Sequence, residues 1–425
     1  MPSSAVHILV LAGGESTRIR TGSPKALLDL CGRPLLDWVL AAAETVPAAS
    51  RTLVLGGRHR RAIEDWLASS DRQGWTIAIQ EEARGTADAV RAAFPGLPEQ
   101  GRLLVLCGDT PLLQGDTLAF LAEQEAGALL TAEVDDPTGY GRILRRSDGS
   151  LAGIVEEADC DEEQAAIREV NAGVYLLDLA VLRRVVAGLT ADNAQGEFYL
   201  TDAAVAVLEE TGGVVVTLDD PAEMQGVNTL ADLAEASALL RGAILGRHLA
   251  AGVIIDDPGS AYIEDGVEIG PGSRILPFCV IRRGVRIGAG CTVGPFAHLR
   301  PGTVLADGAE VGNFVETKNA ELGPGAKSKH LTYLGDVSVG AGANVGCGTI
   351  TANYDGRAKH RTVIGERAFI GSGTVLVAPV RVGDGATTGA GAVVLRGRDV
   401  PAGAVVAGVP ARLLARPQPE SPADA

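Results

Sequence analysis

Residues 261–311 read AYIEDGVEIGPGSRILPFCVIRRGVRIGAGCTVGPFAHLRPGTVLADGAEV. Within them Ile263, Ile269, Ile275, Ile281, Ile287, Val293, Leu299, Leu305 and Val311 stand six residues apart without a gap. The spacing returns at Ile364, Ile370, Leu376, Val382, Val394, Val400 and Val406, with Thr388 as the one polar member. A strict short period marks a repeat architecture, and a period of six points to a parallel β-helix. Between the two runs the period breaks. The distance from Thr317 to Val339 is not a multiple of six, which predicts a loop projecting from the coil. A second break covers Asn353-Tyr354-Asp355-Gly356-Arg357-Ala358-Lys359-His360-Arg361. Chains tend to depart from their own local rules where they work. His330 and His360, two of only six histidines, fall in these breaks beside Lys318, Lys329, Tyr333 and Lys359.

The rest of the chain bounds what this domain serves. With 425 residues there is room for two or three domains and large cores. Hydrophobic residues make up 46%, and 55 glycines with only 4% aromatics suit tight-turn repeats with small interiors. A net charge of −16 argues against general nucleic-acid binding, which needs a basic footprint. An anionic substrate then needs a few placed cations. The six cysteines show neither C-x-x-C nor His/Cys metal spacing. Cys279 and Cys291 share the position of Ala261, Val267, Ser273 and Ala297, two before a lattice aliphatic, and read as interior packing. There is no basic-then-apolar leader and no apolar run of membrane-spanning length, so no membrane association and a cytoplasmic location are expected.

Residues 1–228 alternate apolar runs with helical patterns: Val6–Ala12, Thr52–Leu55, Thr76–Ile79, Leu103–Cys107 and Ala128–Val134 read as buried strands, Leu35–Glu44 and Thr117–Glu125 as helices. This is the pattern of a doubly wound α/β sheet, whose ligands bind beyond the carboxyl ends of the strands. Residues 229–250 read as a linking helix, 251–415 as the hexad domain, and the Pro-rich, polar stretch 416–425 as a disordered tail.

Candidate site residues cluster at strand ends. The strand Val6–Ala12 runs into Gly13-Gly14-Glu15-Ser16-Thr17-Arg18 and on to Ser23-Pro24-Lys25. Glycines there let backbone N–H groups approach a phosphate, while Arg18 and Lys25 supply positive charge. The loop is neither G-x-x-x-x-G-K-[ST] nor G-x-G-x-x-G, so the P-loop and dinucleotide readings fail. Gln80-Glu81-Glu82-Ala83-Arg84-Gly85-Thr86-Ala87 follows a strand, Cys107-Gly108-Asp109 ends another, and Gly226-Val227-Asn228 closes the domain. An oxygen pair such as Asp109 and Asn228 suits Mg²⁺, which takes one or two protein oxygens plus phosphates and waters.

Together these segments resemble the sugar-1-phosphate nucleotidyltransferases. Adding Asp135-Asp136-Pro137-Thr138-Gly139-Tyr140-Gly141-Arg142, Glu156, Asn171-Ala172-Gly173 and Gly196-Glu197-Phe198-Tyr199-Leu200-Thr201-Asp202 narrows the match. Over nearly its whole length the chain looks like the bifunctional N-acetylglucosamine-1-phosphate uridyltransferase/glucosamine-1-phosphate N-acetyltransferase family. The resemblance implies that Leu11, Ala12, Gly13, Gly14, Lys25, Gln80, Gly85, Thr86, Cys107, Gly108 and Asp109 surround UTP, with Gly141, Glu156, Asn171 and Asn228 around the sugar. It puts Mg²⁺ on Asp109 and Asn228. A phosphate oxygen of the sugar phosphate then attacks the α-phosphorus of UTP and pyrophosphate leaves, with Arg18, Lys25 and the metal neutralising charge.

In the hexad domain the matching runs are Asn313-Phe314-Val315-Glu316 with Lys318, Lys329-His330-Leu331-Thr332-Tyr333-Leu334-Gly335-Asp336, and Asn353-Tyr354-Asp355-Gly356 with Lys359. The resemblance makes His330 the general base that deprotonates the amine of glucosamine-1-phosphate as it attacks acetyl-CoA. Arg300, Lys318, Tyr333, Asn344 and Lys359 would hold the sugar phosphate, and Cys347, Asn353, Tyr354, Ser372 and Ala390 would line the acetyl-CoA groove. The resemblance also implies a left-handed β-helix that trimerises, with acetyl-transfer sites between neighbouring chains and the product feeding bacterial envelope synthesis. The chain departs from the family at Ser16, for a glycine, at Asp88, for a histidine, and at Cys347. It also lacks the family's C-terminal Arg, for which Arg412 or Arg416 are the nearest substitutes. Two other readings remain: a nucleotidyltransferase whose β-helix is only a trimerising scaffold, and a nucleotide-sugar sensor without catalysis.

Overall fold

The computed structural model describes residues 5–14, 19 and 22–414; Ser16, Arg18, Arg416 and the tail expected at 416–425 lie outside them. The chain forms two compact units, Met1–Ser237 and Ala238–Ala425.

In the first unit the apolar runs become strands at nearly the expected bounds. They are β1 (Val6–Ala12), β2 (Ser50–Gly56), β3 (Trp75–Gln80), β4 (Arg102–Cys107), β5 (Ala128–Glu133), β6 (Arg142–Arg145), β7 (Leu151–Val155), β8 (Glu169–Asp178) and β9 (Val214–Thr217). The main sheet runs β9-β5-β8-β4-β1-β2-β3. β3, β2, β1 and β4 are mutually parallel, whereas β8 lies antiparallel to both β4 and β5. An all-parallel sheet is therefore not what forms. After β7, a hairpin partner of β6, the chain re-enters the sheet from the opposite end. Helices α1 (Leu35–Glu44), α2 (Arg60–Ser69), α3 (Thr86–Ala93), α4 (Gly115–Ala122), α5 (Leu179–Ala187) and α6 (Leu200–Thr211) pack on the sheet. In α1 the buried residues Leu35, Leu36, Val39, Leu40 and Ala43 follow helical spacing, so one stripe faces the core. Two clusters result, one built on Ile8, Val10 and Leu53, the other on Leu9, Val54 and Leu103. Alternate residues of one strand thus feed opposite faces, as a sheet covered on both sides requires.

Helix α7 (Leu230–Ala250) covers the stretch read as a linking helix. Thr229 caps it: its hydroxyl accepts the Asp232 backbone N–H at 3.1 Å, and the Asp232 carboxylate accepts the N–H groups of Asn228 and Thr229 at 2.7 and 2.9 Å. Among the described residues no helix is long and apolar enough to cross a membrane.

The second unit is a parallel β-helix. Arg274 lies opposite Thr292, and Thr292 opposite Glu310, so three hexads make one coil. The lattice aliphatics point inward, Ile275, Ile281, Val293 and Leu299 all being fully buried. Cys279 and Cys291 are buried with them, as their spacing implied. Coils approach so closely that a Cβ on Gly270 would lie 2.6 Å from backbone atoms of the next coil. One corner carries Phe278, Phe296, Phe314 and Leu331 in the left-handed region, with φ of 61°, 54°, 53° and 44°. The first three rings stack at 4.8 and 5.2 Å.

The first break in the period is not a projecting loop. Glu310 faces Lys327, and Lys327 faces Asn344, so two successive coils each fall just short of three hexads. The missing residue is taken out at a single corner, where Asn319 (φ 45°) and Asp336 (φ 49°) turn the chain alone. The inward lattice continues through Thr317, Leu322, Ser328, Leu334, Val339, Val345 and Thr351, all buried. Counting by strict sixes loses this register, and the polar members Thr317, Ser328 and Thr351 disguise it. Their hydroxyls are mostly used inside the coil: Thr303 and Thr317 bond at 2.9 Å, and Thr351 Oγ1 accepts the Gly335 N–H at 2.8 Å. The second break is a true insertion. Asn344 faces Phe369, a coil more than a whole hexad longer than its neighbours, and the surplus forms the excursion that closes on the Tyr354–Lys359 bridge.

Leu334 discriminates the two pictures of the first break. Leu334→Ala should cost about 2–5 kcal/mol, as for a packed core leucine, lowering Tm by roughly 4–20 °C in a unit of this size. A shift below about 2 °C in thermal denaturation would place Leu334 on a loop.

Candidate active sites

In the first unit the parallel strands deliver their carboxyl ends to one crevice. Leu11 pairs with both Val54 and Cys107. Gly108 N–H donates to Leu11 O at 2.8 Å, and a Cβ there would lie 2.9 Å from that oxygen, so the turn after β4 needs glycine. Val227 N–H donates to Asp109 O at 2.9 Å, which with the capped start of α7 brings Asn228 alongside Asp109. Lys25 arrives on the turn after Pro24. Its Nζ lies 2.7 Å from Asp109 Oδ2 and 3.2 Å from Asn228 Oδ1. Two oxygens from the middle and the end of the unit's sequence thus converge on one cationic atom. That donor set fits a hard divalent ion completed by phosphates and water. Among the described residues no group of three His, Cys, Asp or Glu side chains could hold a metal unaided.

Two hollows meet at this point. A small one of about 70 Å³ is lined by Leu11, Ala12, Gly14, Lys25, Gly108 and Asp109. The larger, about 510 Å³, is lined by Cys107, Asp109, Gly141, Glu156, Asn171 and Asn228, together with Tyr140, Gly173, Gly226 and Asp232. Leu11, Ala12, Gly14, Lys25 and Gly108 of the nucleotide set line the small hollow and the sugar set lines the larger, with Asp109 in both; Cys107 falls in the larger, and Gly13, Gln80, Gly85 and Thr86 line neither. Burial, with Asp202 and Asp159 nearby, raises the Glu156 carboxyl, although the Thr201 hydroxyl donates to it at 3.0 Å. Asn171 is committed on both sides: its Nδ2 donates to Tyr175 Oη at 2.6 Å and its Oδ1 accepts the Gly173 N–H at 3.0 Å. Gly173 has φ of 71°, at a shift of register in β8. Burial pushes the Cys107 thiol up to about 12, and its Sγ contacts Gly173 O, so it stays a neutral wall of the cleft.

Gly85 and Thr86 stand at the start of α3. Gly85 has φ of 110°, and a Cβ there would lie 2.5 Å from Phe198 O. Thr86 Oγ1 accepts the Leu200 N–H at 3.0 Å, and Phe198 O accepts the Ala87 N–H at 3.0 Å. The 196–202 motif thus backs this turn, a supporting role that linear spacing does not display. Thr201, Tyr175, Tyr140 and Asp232 also lie beyond the set read from sequence. Thr201 and Tyr140 act through contacts with the distant Glu156 and Gly226, whereas Tyr175 and Asp232 act on Asn171 and Asn228 only four residues away.

In the β-helix the coil register sorts the expected residues into columns. Asn313 lies opposite His330, and Cys347 follows one coil later. Gly373 N–H donates to Cys347 O at 2.7 Å, and Gly391 N–H to Ser372 O at 2.8 Å. His330, Cys347, Ser372 and Ala390 thus occupy one corner on successive coils. His330 is exposed and borders a hollow of about 200 Å³ with Glu310, Asn313 and Lys329. Asn344 lies on one side of this corner, on the face of Lys327 and Phe369. Arg300, Lys318 and Tyr333 lie on the other, the face carrying Leu299, Thr317 and Leu334. Arg300 pairs with Glu316 at 2.7 Å. Lys359, from the inserted excursion, reaches Lys318 and, with Arg300, holds the Lys318 ammonium below its ordinary range. Three cationic side chains thus gather beside this face.

Asn353 is nearly buried and donates through Nδ2 to Asp336 Oδ2, which also receives Asn319 Nδ2 on its other oxygen at 3.0 Å. Its amide serves the shortened corner. Tyr354 is 60% exposed. Arg412 sits on a short antiparallel strand beside Ala407.

Comparison with known proteins agrees with this division. Residues 8–171 match the family described as MobA-like NTP transferase domain, and 260–295, 284–319 and 361–396 match the bacterial transferase hexapeptide (six repeats). The second unit is accordingly the left-handed β-helix of hexapeptide repeats. The chain is 45% identical to bifunctional protein GlmU of Thermobifida fusca, covering 95% of this chain and 92% of that protein. It is 43% identical to bifunctional protein GlmU of Trichlorobacter lovleyi, over 92% and 93%, and 44% identical to that of Mycobacterium avium, over 94% and 90%. With both units matched end to end at this identity, the chain belongs to the family of the bifunctional protein GlmU.

Proposed function

We propose that the chain makes UDP-N-acetylglucosamine in two steps, acetylating glucosamine-1-phosphate at the β-helix and transferring a uridylyl group at the α/β unit. The observation that carries the two-site reading is the cationic set Lys318, Lys359 and Arg300 beside the His330 corner. A purely trimerising scaffold has no use for clustered lysines, and a sensor has none for a base next to them. Identity of 45% along both units agrees with two working sites.

In the acetyl-transfer step the sugar phosphate docks on Lys318, Lys359 and Arg300, with Tyr333 and Asn344 orienting the sugar. His330 takes a proton from the ammonium, and the freed amine attacks the thioester carbonyl of acetyl-CoA. The C–N bond forms, the C–S bond breaks, and coenzyme A leaves as the thiol after protonation. Cys347, Ser372 and Ala390 supply small walls for the acetyl-CoA arm, with Asn353 and Tyr354 at its edge. Asn344 and Tyr333 lie on different sheets of the coil, on either side of the His330 corner, and one such corner is too open to enclose the sugar. A neighbouring chain completes the pocket, consistent with a homotrimer assembled along the exposed Phe278–Phe296–Phe314 ladder.

In the uridylyl step, UTP lies along Leu11–Gly14, with Gly85 and Thr86 beside the base. N-acetylglucosamine-1-phosphate fills the cleft of Gly141, Glu156 and Asn171. Lys25 neutralises the phosphates and holds attacker and leaving group in line; Arg18, outside the described residues, is assigned the same task. Mg²⁺ held by Asp109 and Asn228 would supply further neutralisation of the phosphate charge. The substrates are small molecules, the proposed location is the cytoplasm, and the product suits bacterial envelope synthesis.

The two sites lie in separate compact units and should fail separately. His330→Ala is expected to slow coenzyme A release by about 10²–10⁴-fold while uridylyl transfer from supplied N-acetylglucosamine-1-phosphate stays within twofold. Unchanged coenzyme A release would remove His330 from the reaction. Asp109→Ala should show the reverse, a loss of roughly 10²-fold or more in pyrophosphate release with acetylation intact. Lys318→Ala should raise KM for glucosamine-1-phosphate by about tenfold, read by steady-state kinetics, and leave KM for acetyl-CoA unchanged.

A further inference from the structure

At the end of β3, Gln80 is only 7% exposed, and its amide is fixed by two acceptors that admit only one orientation. Its Nε2 lies 3.1 Å from Asp88 Oδ2 and 3.1 Å from Gly85 O. Neither partner can donate, since one is a carboxylate and the other a backbone carbonyl, so the nitrogen must face them. The carbonyl oxygen then points the other way, toward the strand-end glycine loop. A Cβ on Gly13 would lie 3.2 Å from Oε1. Among the described residues no donor bonds Oε1. Asp88 is itself only 7% exposed and is held from its far side by Arg91, with Arg84 at 3.6 Å. Asp88 is one of the positions at which the chain departs from the family pattern.

We infer that Asp88 is a positioning residue for base selection: by locking the Gln80 amide it presents a lone acceptor, Oε1, to the nucleobase and selects an imide N–H. Resting on the reading that UTP occupies the Leu11–Gly14 loop, the argument turns on the pyrimidine N3 position. Uracil carries N3–H there, a donor that Oε1 accepts. Cytosine carries a bare lone pair at N3, which would face Oε1 with two acceptors in contact and no proton between them. An amide free to turn over would present Nε2 to cytosine instead and erase the difference. Asp88 prevents that turn, because flipping Gln80 would bring its oxygen against a carboxylate and a carbonyl at once. The acidic side chain therefore sharpens pyrimidine choice rather than weakening it, although it touches no part of the nucleotide.

The test uses the full-length enzyme and compares kcat/KM for UTP and for CTP in uridylyl transfer, followed by pyrophosphate release. Asp88→Asn keeps the shape but offers Gln80 both a donor and an acceptor, and Asp88→Ala offers neither. Both are expected to lower the UTP/CTP ratio by roughly ten- to a hundredfold, partly through a gain in CTP use. Arg91→Gln removes the charge pairing while leaving the carboxylate on Gln80, and should keep the wild-type ratio. Thermal denaturation and far-UV circular dichroism of the same molecules report that the α/β unit of each variant is folded. A variant whose α/β unit is misfolded is read through the others. If Asp88→Asn and Asp88→Ala keep the wild-type ratio, Gln80 is not set by Asp88 and the inference is overturned while the uridylyl reading stands. If wild-type enzyme uses CTP as well as UTP, both fall together. If Arg91→Gln lowers the ratio as far as Asp88→Asn, the effect belongs to the charge cluster and the inference is again overturned.

Discussion

The constraint on which the β-helix depends is stacking in register: each inward side chain must sit above the one a coil below while backbone groups pair between coils. Ile275 over Val293 over Val311 satisfies it with three hexads per coil. Any change of coil length must therefore be absorbed at a corner, where no inward side chain is displaced. The chain makes three such changes in succession. Two shorten the coil at the Asn319 and Asp336 corner, and the next lengthens it at the same edge, beginning at Asn353. All three carry candidate chemistry. The shortened coils set Lys318 and Tyr333 on neighbouring paired strands, and the insertion brings Lys359 back to Lys318. Asp336, accepting from Asn319 on one oxygen and Asn353 on the other, holds the altered edge together. His360 Nε2 and Arg396 Nη1 on Asp355, at 2.7 and 3.1 Å, fasten the excursion from outside.

The α/β unit solves its problem differently. Parallel strands end together, so residues far apart in sequence arrive at one crevice without special design. The backbone bond from Val227 to Asp109 and the capped start of α7 finish the job by drawing in Asn228. Lys25 between the two oxygens then marks where positive charge belongs. Burial keeps Cys107 neutral and raises Glu156, making the larger cleft a place of shape and hydrogen bonding rather than of nucleophiles.

What could be read in advance follows the strength of local periodicity. The six-residue lattice revealed the β-helix and the fate of Cys279 and Cys291 because each position reports its own burial. β1, β2, β3, β4 and α1 were legible as continuous apolar or helical runs. Strand β8 was not: Asn171-Ala172-Gly173 reads as a site motif, and the left-handed Gly173 within the strand interrupts any simple pattern. Nor was the passage through Thr317, Ser328 and Thr351, because polar residues can face inward when the coil's own groups satisfy most of them. Phe278, Phe296 and Phe314 in left-handed conformations carry no local signal, since glycine is the residue that normally takes that corner. The supporting contacts of Phe198 and Leu200 arise only when distant segments meet.

The account rests on one chain carrying two consecutive activities in two separate units. The direct measurement is a time course with purified protein, glucosamine-1-phosphate, acetyl-CoA, UTP and Mg²⁺, following coenzyme A and pyrophosphate together. Coenzyme A should appear first, pyrophosphate should follow toward one equivalent, and omission of acetyl-CoA should abolish both. Pyrophosphate release at full rate without acetyl-CoA, or coenzyme A release that never occurs, would contradict it.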